Sequence, residues 1–336
     1  MHLPRFQYIR CTTREEAAKR LEELGSAACL MSGGTDLLPR LKYGLGRPEV
    51  LVSLGGVEVP PPRVGGNGEL RIDGLTRLAA VIRSPEVRAR APILCQAALS
   101  VASNQVRHMA TLGGNLCVEA RCLYYNQSHA YQYVEPCLKR GGTACYFAPK
   151  GDRCWAIFPS DTAPALLCLG ALVDVVGPEG TRAFPLEDLY GGDPLYPVTL
   201  RRGEIVAEIR IPAAPPNRGQ AFRKHSRRKG LEFAGLTVAA VLEREDGGRC
   251  REARIVVGSV AGAPVRPLET ENRLRGQDLS RPGVLADVAR SVAAEIRPVA
   301  HHGYPAGYLR RCVEVETRRA LAEAVGLEPG TEGGSP

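Results

Sequence analysis

The feature that most constrains the fold is a stretch, residues 119–158, with four cysteines and no regular hydrophobic period. Its cysteines, separated by 14, 7 and 8 residues, are Cys122, Cys137, Cys145 and Cys154. An irregular segment of this length inside a compact domain is uncommon and tends to be functional. Zinc fingers and ribbons use closely paired cysteines, which are absent here, whereas a cubane cluster needs one thiolate at each of its four corners. The spacing favours a 4Fe–4S site, with a zinc site or unliganded thiols as alternatives.

Cysteine content and the N-terminus together indicate a cytoplasmic chain. Eleven cysteines are many for such a protein, and a reducing compartment favours metal or redox use over disulfides. Residues 1–5 lack the apolar run of a signal peptide, and no stretch is apolar enough to span a membrane. The remaining cysteines are scattered and are expected to be mostly small buried hydrophobic residues.

The net charge of +8 is weak support for nucleic-acid binding. Arginine is far commoner than lysine, the charges are scattered, and few aromatic residues lie among them. A docking face for an acidic electron-transfer partner explains the excess equally well. No nucleic-acid partner is expected.

Two glycine pairs predict phosphate contacts. A strand over residues 27–31 runs into Ser32-Gly33-Gly34-Thr35-Asp36 and then a short helix over 37–41. Such a turn exposes several backbone N–H groups that suit phosphate oxygens. The stretch matches neither a Rossmann fingerprint nor a P-loop. A plain tight turn is the alternative. Thr111-Leu112-Gly113-Gly114-Asn115 repeats this chemistry, with residues 112–117 predicted to be a turn feeding a strand. Together the two stretches suit the two halves of a pyrophosphate.

Proline and glycine clusters predict the domain organisation. A break near residues 57–68 divides the first domain, residues 1–215, into two lobes, and residues 119–158 form an insertion in it. The proline-rich linker 212–216 leads to a second domain, residues 216–328, which combines strands with two amphipathic helices. Residues 329–336 are expected to be a disordered tail.

The order of motifs resembles a known family. Ser-Gly-Gly-Thr-Asp, Thr-Leu-Gly-Gly-Asn, Ser-Asp-x-x-Pro-Ala-Leu, Ile-Arg-Ile-Pro and Phe-Arg-Lys-x-x-x-Arg follow one another as in the flavin-binding medium subunits of the xanthine dehydrogenase family of molybdenum hydroxylases. The resemblance covers residues 4–325. The insertion is similar to that of 4-hydroxybenzoyl-CoA reductase β subunits, where it carries a 4Fe–4S cluster; Asn115-Leu116-Cys117, Arg121-Cys122 and Tyr125-Asn126-Gln127 also look like those subunits.

This resemblance implies a fold and a set of cofactor-binding residues. The fold is α+β: a two-lobed FAD-binding domain of the vanillyl-alcohol-oxidase type, then a small domain of antiparallel sheet and helices. Lys224 or Arg223 reaches the edge of the flavin ring, and Cys117 and Val206 lie near it. The full set implied to bind FAD is Leu30, Met31, Ser32, Gly33, Gly34, Thr35, Asp36, Leu37, Thr111, Gly113, Gly114, Asn115, Cys117, Asp161, Val206 and Lys224. The four insertion cysteines are the implied cluster ligands, and no residue is implied to be catalytic.

The resemblance also implies a role and partners. The chain is expected to be the FAD and 4Fe–4S electron-transfer subunit of a molybdenum oxidoreductase, with a large molybdenum-cofactor subunit and a small subunit carrying two 2Fe–2S clusters. Ferredoxin would supply electrons through the 4Fe–4S cluster, FAD and 2Fe–2S centres to molybdenum, for reductive dehydroxylation of an aromatic CoA thioester. A dimer of such heterotrimers is common in the family, and no membrane partner is expected. The alternatives are the flavin subunit of another aromatic or heteroaromatic hydroxylase with an extra relay, and a zinc-stabilised interaction module without enzymatic function.

Overall fold

The first lobe is a small parallel sheet covered by helices. A computed structural model describes residues 2–127, 135–148, 151–215, 217–228, 230–245, 248–281 and 283–327. The sheet has the order β1-β3-β2, with strands β1 (Gln7–Arg10), β2 (Ala28–Met31) and β3 (Val50–Ser53). Helices α1 (Arg14–Leu24) and α2 (Leu37–Lys42) alternate with the strands. The Thr13 hydroxyl accepts from the Glu16 N–H and caps α1. This lobe places the end of β2, and so the first glycine pair, at its edge.

The second lobe is an antiparallel sheet packed against helices. Its strands, in the order β4-β5-β8-β6-β7, are β4 (Arg63–Val64), β5 (Leu70–Asp73), β6 (Leu172–Gly177), β7 (Gly180–Pro185) and β8 (Ile205–Ile211). Its helices are α3 (Leu78–Arg83), α4 (Pro85–Arg90), α5 (Pro92–Ser100), α6 (Asn104–Met109), α7 (Leu112–Leu116), α8 (Leu123–Asn126) and α9 (Thr162–Cys168). Strand β4 begins within the predicted break at 57–68, so the second lobe starts before that stretch ends.

The C-terminal part is a three-stranded antiparallel sheet with helices on one face. Strands β9 (Arg218–His225), β10 (Leu236–Arg244) and β11 (Cys250–Gly258) have the order β11-β10-β9. The helices are α10 (Leu268–Leu274), α11 (Val284–Glu295) and α12 (Ala306–Val325). Alternate residues of a strand face opposite sides: Val238 and Ala240 join the core under α11 and α12, whereas Ala239 and Val241 join the core of the second lobe. The sheet is therefore buried on both faces and fixes β9 against the first domain.

This architecture confirms the predicted fold class, and it corrects one local prediction. Residues 112–117, predicted to be a turn feeding a strand, form helix α7 instead. The Thr111 hydroxyl caps this helix, and the N–H groups of Leu112 and Gly113 bind the carbonyls of Thr76 and Gly74. These tertiary bonds outweigh the low helix propensity of two glycines. The predicted domain boundaries stay predictions, and the predicted tail at 329–336 lies outside the described residues.

The cysteine-bearing insertion enters and leaves the second lobe at one point. Arg121 and Ile157 exchange two backbone hydrogen bonds, of 3.0 and 3.2 Å, across this neck. Immediately beyond it, the Phe158 N–H donates to the carbonyl of Ala261 in the C-terminal part. None of the helices in the described ranges has the length and hydrophobicity to cross a membrane.

Candidate functional site

The fold brings the two glycine pairs into contact. The hydroxyl oxygens of Ser32 and Thr111 lie 2.8 Å apart, 79 residues apart in sequence. A Cβ atom added to Gly33 would overlap the carbonyl oxygen of Met109, just before the second pair. The absence of a side chain at Gly33 is therefore what lets the edge of the first lobe lie directly on the second.

The first stretch leaves its backbone donors open. Among the described residues, no hydrogen bond uses the N–H groups of Gly33, Gly34, Thr35 or Asp36. Gly34 has a φ of 70°, in the left-handed region that favours glycine, and its carbonyl accepts from the Leu38 N–H at 2.9 Å. Leu30 and Met31 end β2 immediately before this turn, and Leu37 opens α2 immediately after it. Consecutive open N–H groups at a glycine turn are suited to an anion.

The second stretch, by contrast, uses its backbone donors within the protein. Besides the bonds of Leu112 and Gly113, the Gly114 N–H donates to the Thr111 hydroxyl at 3.2 Å and the Asn115 N–H to the Thr111 carbonyl at 2.9 Å. A Cβ on Gly114 would lie 2.8 Å from the Thr111 hydroxyl and 3.1 Å from the Ser32 hydroxyl. The polar groups this stretch can offer to a ligand are therefore side chains rather than backbone N–H groups.

Asn115 is fixed by the chain that follows the insertion. Its Oδ1 accepts from the Ser160 hydroxyl at 2.8 Å, from the Thr162 hydroxyl at 2.6 Å and from the Thr162 N–H at 3.3 Å. The amide Nδ2 is therefore the part of Asn115 left to donate to a phosphate. These contacts also hold the intervening Asp161 in place.

Asp161 forms a buried ion pair with Lys224 of β9. The Lys224 Nζ lies 2.7 Å from Asp161 Oδ2 and donates also to the Ser100 carbonyl at 2.9 Å. Burial raises the pKa of the Asp161 carboxyl and the charge of Lys224 opposes that rise. Asp161 Oδ1 is buried and has no hydrogen-bond partner among the described residues, so it is available to accept from a bound molecule. Arg223, its neighbour on the strand, instead pairs with Glu316 of α12 at 3.2 Å.

Cys117 and Val206 lie against the second glycine pair. The N–H of Cys117 donates to the Gly113 carbonyl at 3.0 Å, and burial raises the pKa of the Cys117 thiol to about 12. Val206 Cγ1 would be 3.3 Å from a Cβ on Gly113. A thiol with this pKa stays protonated at neutral pH, so Cys117, like Val206, supplies apolar packing.

The four insertion cysteines surround one small pocket. The other residues lining it are Tyr124, Tyr125, Leu138, Lys139, Tyr146 and Phe147. The Cys122 sulfur accepts from the Tyr125 N–H, and the Cys154 sulfur from the Ala156 N–H, both at 3.5 Å. Burial raises the pKa values of Cys122 and Cys154, and neighbouring insertion cysteines raise them further. Residues far apart in sequence thus form one cluster of thiols.

This arrangement does not match a single-metal site. Within the described part of the chain, no group of three or more His, Cys, Asp or Glu side chains is placed to hold one metal ion. Tetrahedral zinc, with Zn–S bonds of about 2.3 Å, needs sulfurs about 3.8 Å apart. A multi-iron cluster takes one thiolate at each corner, so its ligands are spaced more widely.

Charged residues that the sequence patterns did not single out lie between the pocket and the first glycine pair. Glu119 is 2.6 Å from the Lys139 Nζ and 3.2 Å from Arg40 Nη2. Arg40 is 3.9 Å from Asp36 and donates to the Tyr125 hydroxyl at 3.2 Å. Asp36 also pairs with Arg121; burial raises its pKa, and both arginines oppose the rise. Asp36 and Arg121 belong to motifs noted in the sequence, whereas Arg40, Glu119 and Lys139 follow no local sequence pattern.

Sequence comparison identifies the family. A profile described as "FAD binding domain in molybdopterin dehydrogenase" matches residues 4–214, and one described as "CO dehydrogenase flavoprotein C-terminal domain" matches residues 220–324. The chain is a flavin-binding medium subunit of the molybdenum hydroxylase family. The carbon monoxide dehydrogenase medium chain of Afipia carboxidovorans is similar to this medium subunit, with 31% identity over 322 residues, 95% of this chain and 96% of that protein. The aldehyde oxidoreductase FAD-binding subunit PaoB of Escherichia coli is 33% identical over 277 residues, 78% of this chain and 83% of that protein.

Solved structures agree with this assignment. The medium subunit matches a chain of the reconstituted CO dehydrogenase from Oligotropha carboxidovorans with a TM-score of 0.79 and 28% identity, covering 97% of this chain and 99% of that chain. The resemblance to this family is therefore confirmed at the level of fold, FAD and flavoprotein oxidoreductase subunit. The open N–H groups at Gly33–Asp36 and the unpartnered Asp161 Oδ1 fit a dinucleotide with a pyrophosphate and a polar flavin.

Proposed function

We propose that this medium subunit carries a 4Fe–4S cluster beside its FAD, and that it transfers electrons within a molybdenum enzyme of the 4-hydroxybenzoyl-CoA reductase kind. The observation that carries the proposal is the gathering of Cys122, Cys137, Cys145 and Cys154 around one pocket. The spacing of these cysteines predicts a cluster, and their common pocket is what such a cluster requires.

The chain's own residues would hold the flavin from both lobes. The N–H groups of residues 33–36 would bind one end of the pyrophosphate, and the Ser32 and Thr111 hydroxyls with Asn115 Nδ2 would bind the other. Asp161 Oδ1 would accept a hydrogen bond from the ribityl chain or the ring of the flavin, with Lys224 holding the carboxyl group in place. Bound FAD exchanges electrons singly or in pairs, which is what coupling one-electron to two-electron centres requires.

The insertion would supply four thiolates and a shielded surrounding. Its backbone N–H groups already donate to Cys122 and Cys154, and such bonds, together with burial, tune the potential of iron–sulfur centres. Cysteine binds iron as the thiolate, so loading the four cysteines would release protons. Loading should therefore be favoured as pH rises.

The proposed partners are those of a three-subunit enzyme. Relatives are named medium chains, FAD-binding subunits or a subunit of a complex. We propose a large molybdenum-cofactor subunit, a small subunit with two 2Fe–2S clusters, ferredoxin as electron donor, a dimer of heterotrimers and a cytoplasmic location. Relatives named for carbon monoxide, an aldehyde and nicotine are 31%, 33% and 26% identical, so the medium subunit does not by itself specify a substrate. The phenol-reducing assignment rests on the insertion.

The test is anaerobic purification of the full chain, with analysis of iron, zinc and flavin and electron paramagnetic resonance after dithionite reduction. We expect about four irons and one FAD per chain, with the signal of a reduced 4Fe–4S cluster. Cys137→Ser should remove or degrade that signal and keep FAD. Cys312→Ser, at a partly exposed cysteine of α12, is the matched control and should change neither. FAD with zinc or with no metal would refute the cluster, and the reductase assignment would lose its support.

A further inference from the structure

An unbroken series of ion pairs joins the cysteine pocket to the first glycine pair. Lys139, which lines the pocket, lies 2.6 Å from Glu119; Glu119 lies 3.2 Å from Arg40; and Arg40 lies 3.9 Å from Asp36. Tyr125, also lining the pocket, makes a second connection by accepting from Arg40. The proposed cluster and the proposed phosphate site thus share one set of side chains.

The members of this series alternate in charge and are largely shielded from water. Their exposed fractions are 5% for the Lys139 side chain, 19% for Glu119, 21% for Arg40 and 25% for Asp36. Removing one partner of a buried ion pair leaves a charge uncompensated, at a cost well above that of a surface pair. Each member of the series therefore depends on its neighbours for charge compensation.

Glu119 occupies the centre of the series. It is the residue that contacts both a cation lining the pocket and a cation bound to the glycine turn. The Lys139 Nζ is further held by the carbonyl of Pro194. Charge added in the pocket when four thiols become cluster ligands would draw Lys139 towards the sulfurs and alter its pairing with Glu119, so Arg40 and Asp36 would feel the change.

We infer that Glu119 is a positioning residue that couples loading of the cysteine pocket to FAD binding. The inference rests on the proposed cluster. Because coupling between two binding events is reciprocal, a loaded pocket changes the affinity for FAD by the same factor by which FAD changes the affinity for iron.

The experiment measures the dissociation constant of FAD for the full chain in iron-free and iron-loaded forms, with iron content determined in each. We expect the two constants of the parent protein to differ on the order of tenfold. Glu119→Gln should bring the ratio of these two constants substantially nearer to one, leaving only the connection from Tyr125 to Arg40. Glu204→Gln is the control: Glu204 is more buried than Glu119 and is paired with Arg182 at 2.7 Å, outside the series, so this variant should keep the parent ratio.

The ratio of the FAD dissociation constants in the iron-free and iron-loaded forms separates coupling from a purely structural effect. A variant that merely loosens the fold weakens FAD binding in both forms and leaves this ratio unchanged. Lys139→Gln breaks the same series on the pocket side and should likewise bring the ratio of the two FAD dissociation constants nearer to one. This second variant preserves the test if Glu119→Gln does not fold. A parent protein that loads iron yet binds FAD equally in both forms would overturn the coupling alone, as would a variant that retains the full ratio. A chain that takes up FAD and no iron would refute the cluster itself.

Discussion

The two glycine pairs look alike in sequence and differ in what they do. Around Gly33 and Gly34 the backbone donors are open and Gly34 takes a left-handed conformation. Around Gly113 and Gly114 the donors are already bonded, to the Gly74 carbonyl and to the capping Thr111 hydroxyl, and an added Cβ would meet close neighbours. The polar residue that ends each stretch differs too: Asp36 enters the ion-pair series, and Asn115 binds the segment after the insertion. Similar glycine motifs therefore differ in role: the first leaves its donors open for the proposed anion and lets the lobes touch at Gly33, and the second packs against residues of both lobes.

Gly33→Ala should have the largest effect, since the new methyl group would meet backbone atoms of Met109 that cannot rotate away. We expect about 3 kcal/mol of lost stability and loss of FAD, measured by urea unfolding and flavin content. Gly66→Ala, at a glycine with no atom within 4 Å of the added Cβ, should change stability by less than about 0.5 kcal/mol. Equal unfolding midpoints would show that the contact between the lobes is not tight.

Asn115→Ala tests the interior role of the second stretch. It leaves two hydroxyls and one N–H without their acceptor, so we expect a loss of about 2–3 kcal/mol in chemical unfolding. Asn67→Ala removes a single part-buried bond to the Glu69 N–H and should cost less than about 1 kcal/mol. If Asn115→Ala released FAD with unchanged stability, the side chain would serve the ligand rather than the fold.

Gly34→Ala tests the open donors. The left-handed conformation should cost about 1–2 kcal/mol for alanine, and relief of that strain would turn the N–H groups away, weakening FAD about tenfold or more. Gly44→Ala, at a φ of 72° in open space, should show the same strain with full FAD affinity. Fluorescence titration of FAD measures the difference, and identical affinities in the two variants would exclude these donors from the site.

Gly114→Ala should have the smallest effect. Its Cβ would meet the ends of the Ser32 and Thr111 side chains, which can rotate, and the gain in helix propensity of about 1 kcal/mol offsets part of the cost. We expect stability within about 1 kcal/mol of the parent and a loss of FAD affinity smaller than that of Gly34→Ala, because only the two hydroxyls proposed to contact the pyrophosphate are displaced. If Gly114→Ala weakened FAD binding as much as Gly34→Ala does, the two glycine pairs would contribute equally to FAD binding, as their similar sequences suggest.

Sequence patterns predicted what depends on local spacing and missed what depends on tertiary contacts. Strand and helix periods located individual elements, the family resemblance implied the two-lobed domain and the antiparallel sheet, and the cysteine spacing identified four residues that do share a pocket. The helix at 112–116 was missed because its stabilising acceptors, Gly74 and Thr76, lie in another segment. Neighbouring strand residues point to opposite faces, so only the structure shows that Lys224, rather than Arg223, faces Asp161. The series through Glu119 joins segments far apart in sequence, and no local pattern records it.

The neck between Arg121 and Ile157 has an evolutionary consequence. Because the insertion leaves and rejoins the fold at one pair of hydrogen-bonded residues, its length can change without shifting any strand of the second lobe, and the entropy of closing a longer loop grows only slowly. Residues 122–156 can therefore change in length as a unit with the strands kept in place, and Lys139 and Tyr125 are the insertion residues whose loss would remove a partner from Glu119 and from Arg40.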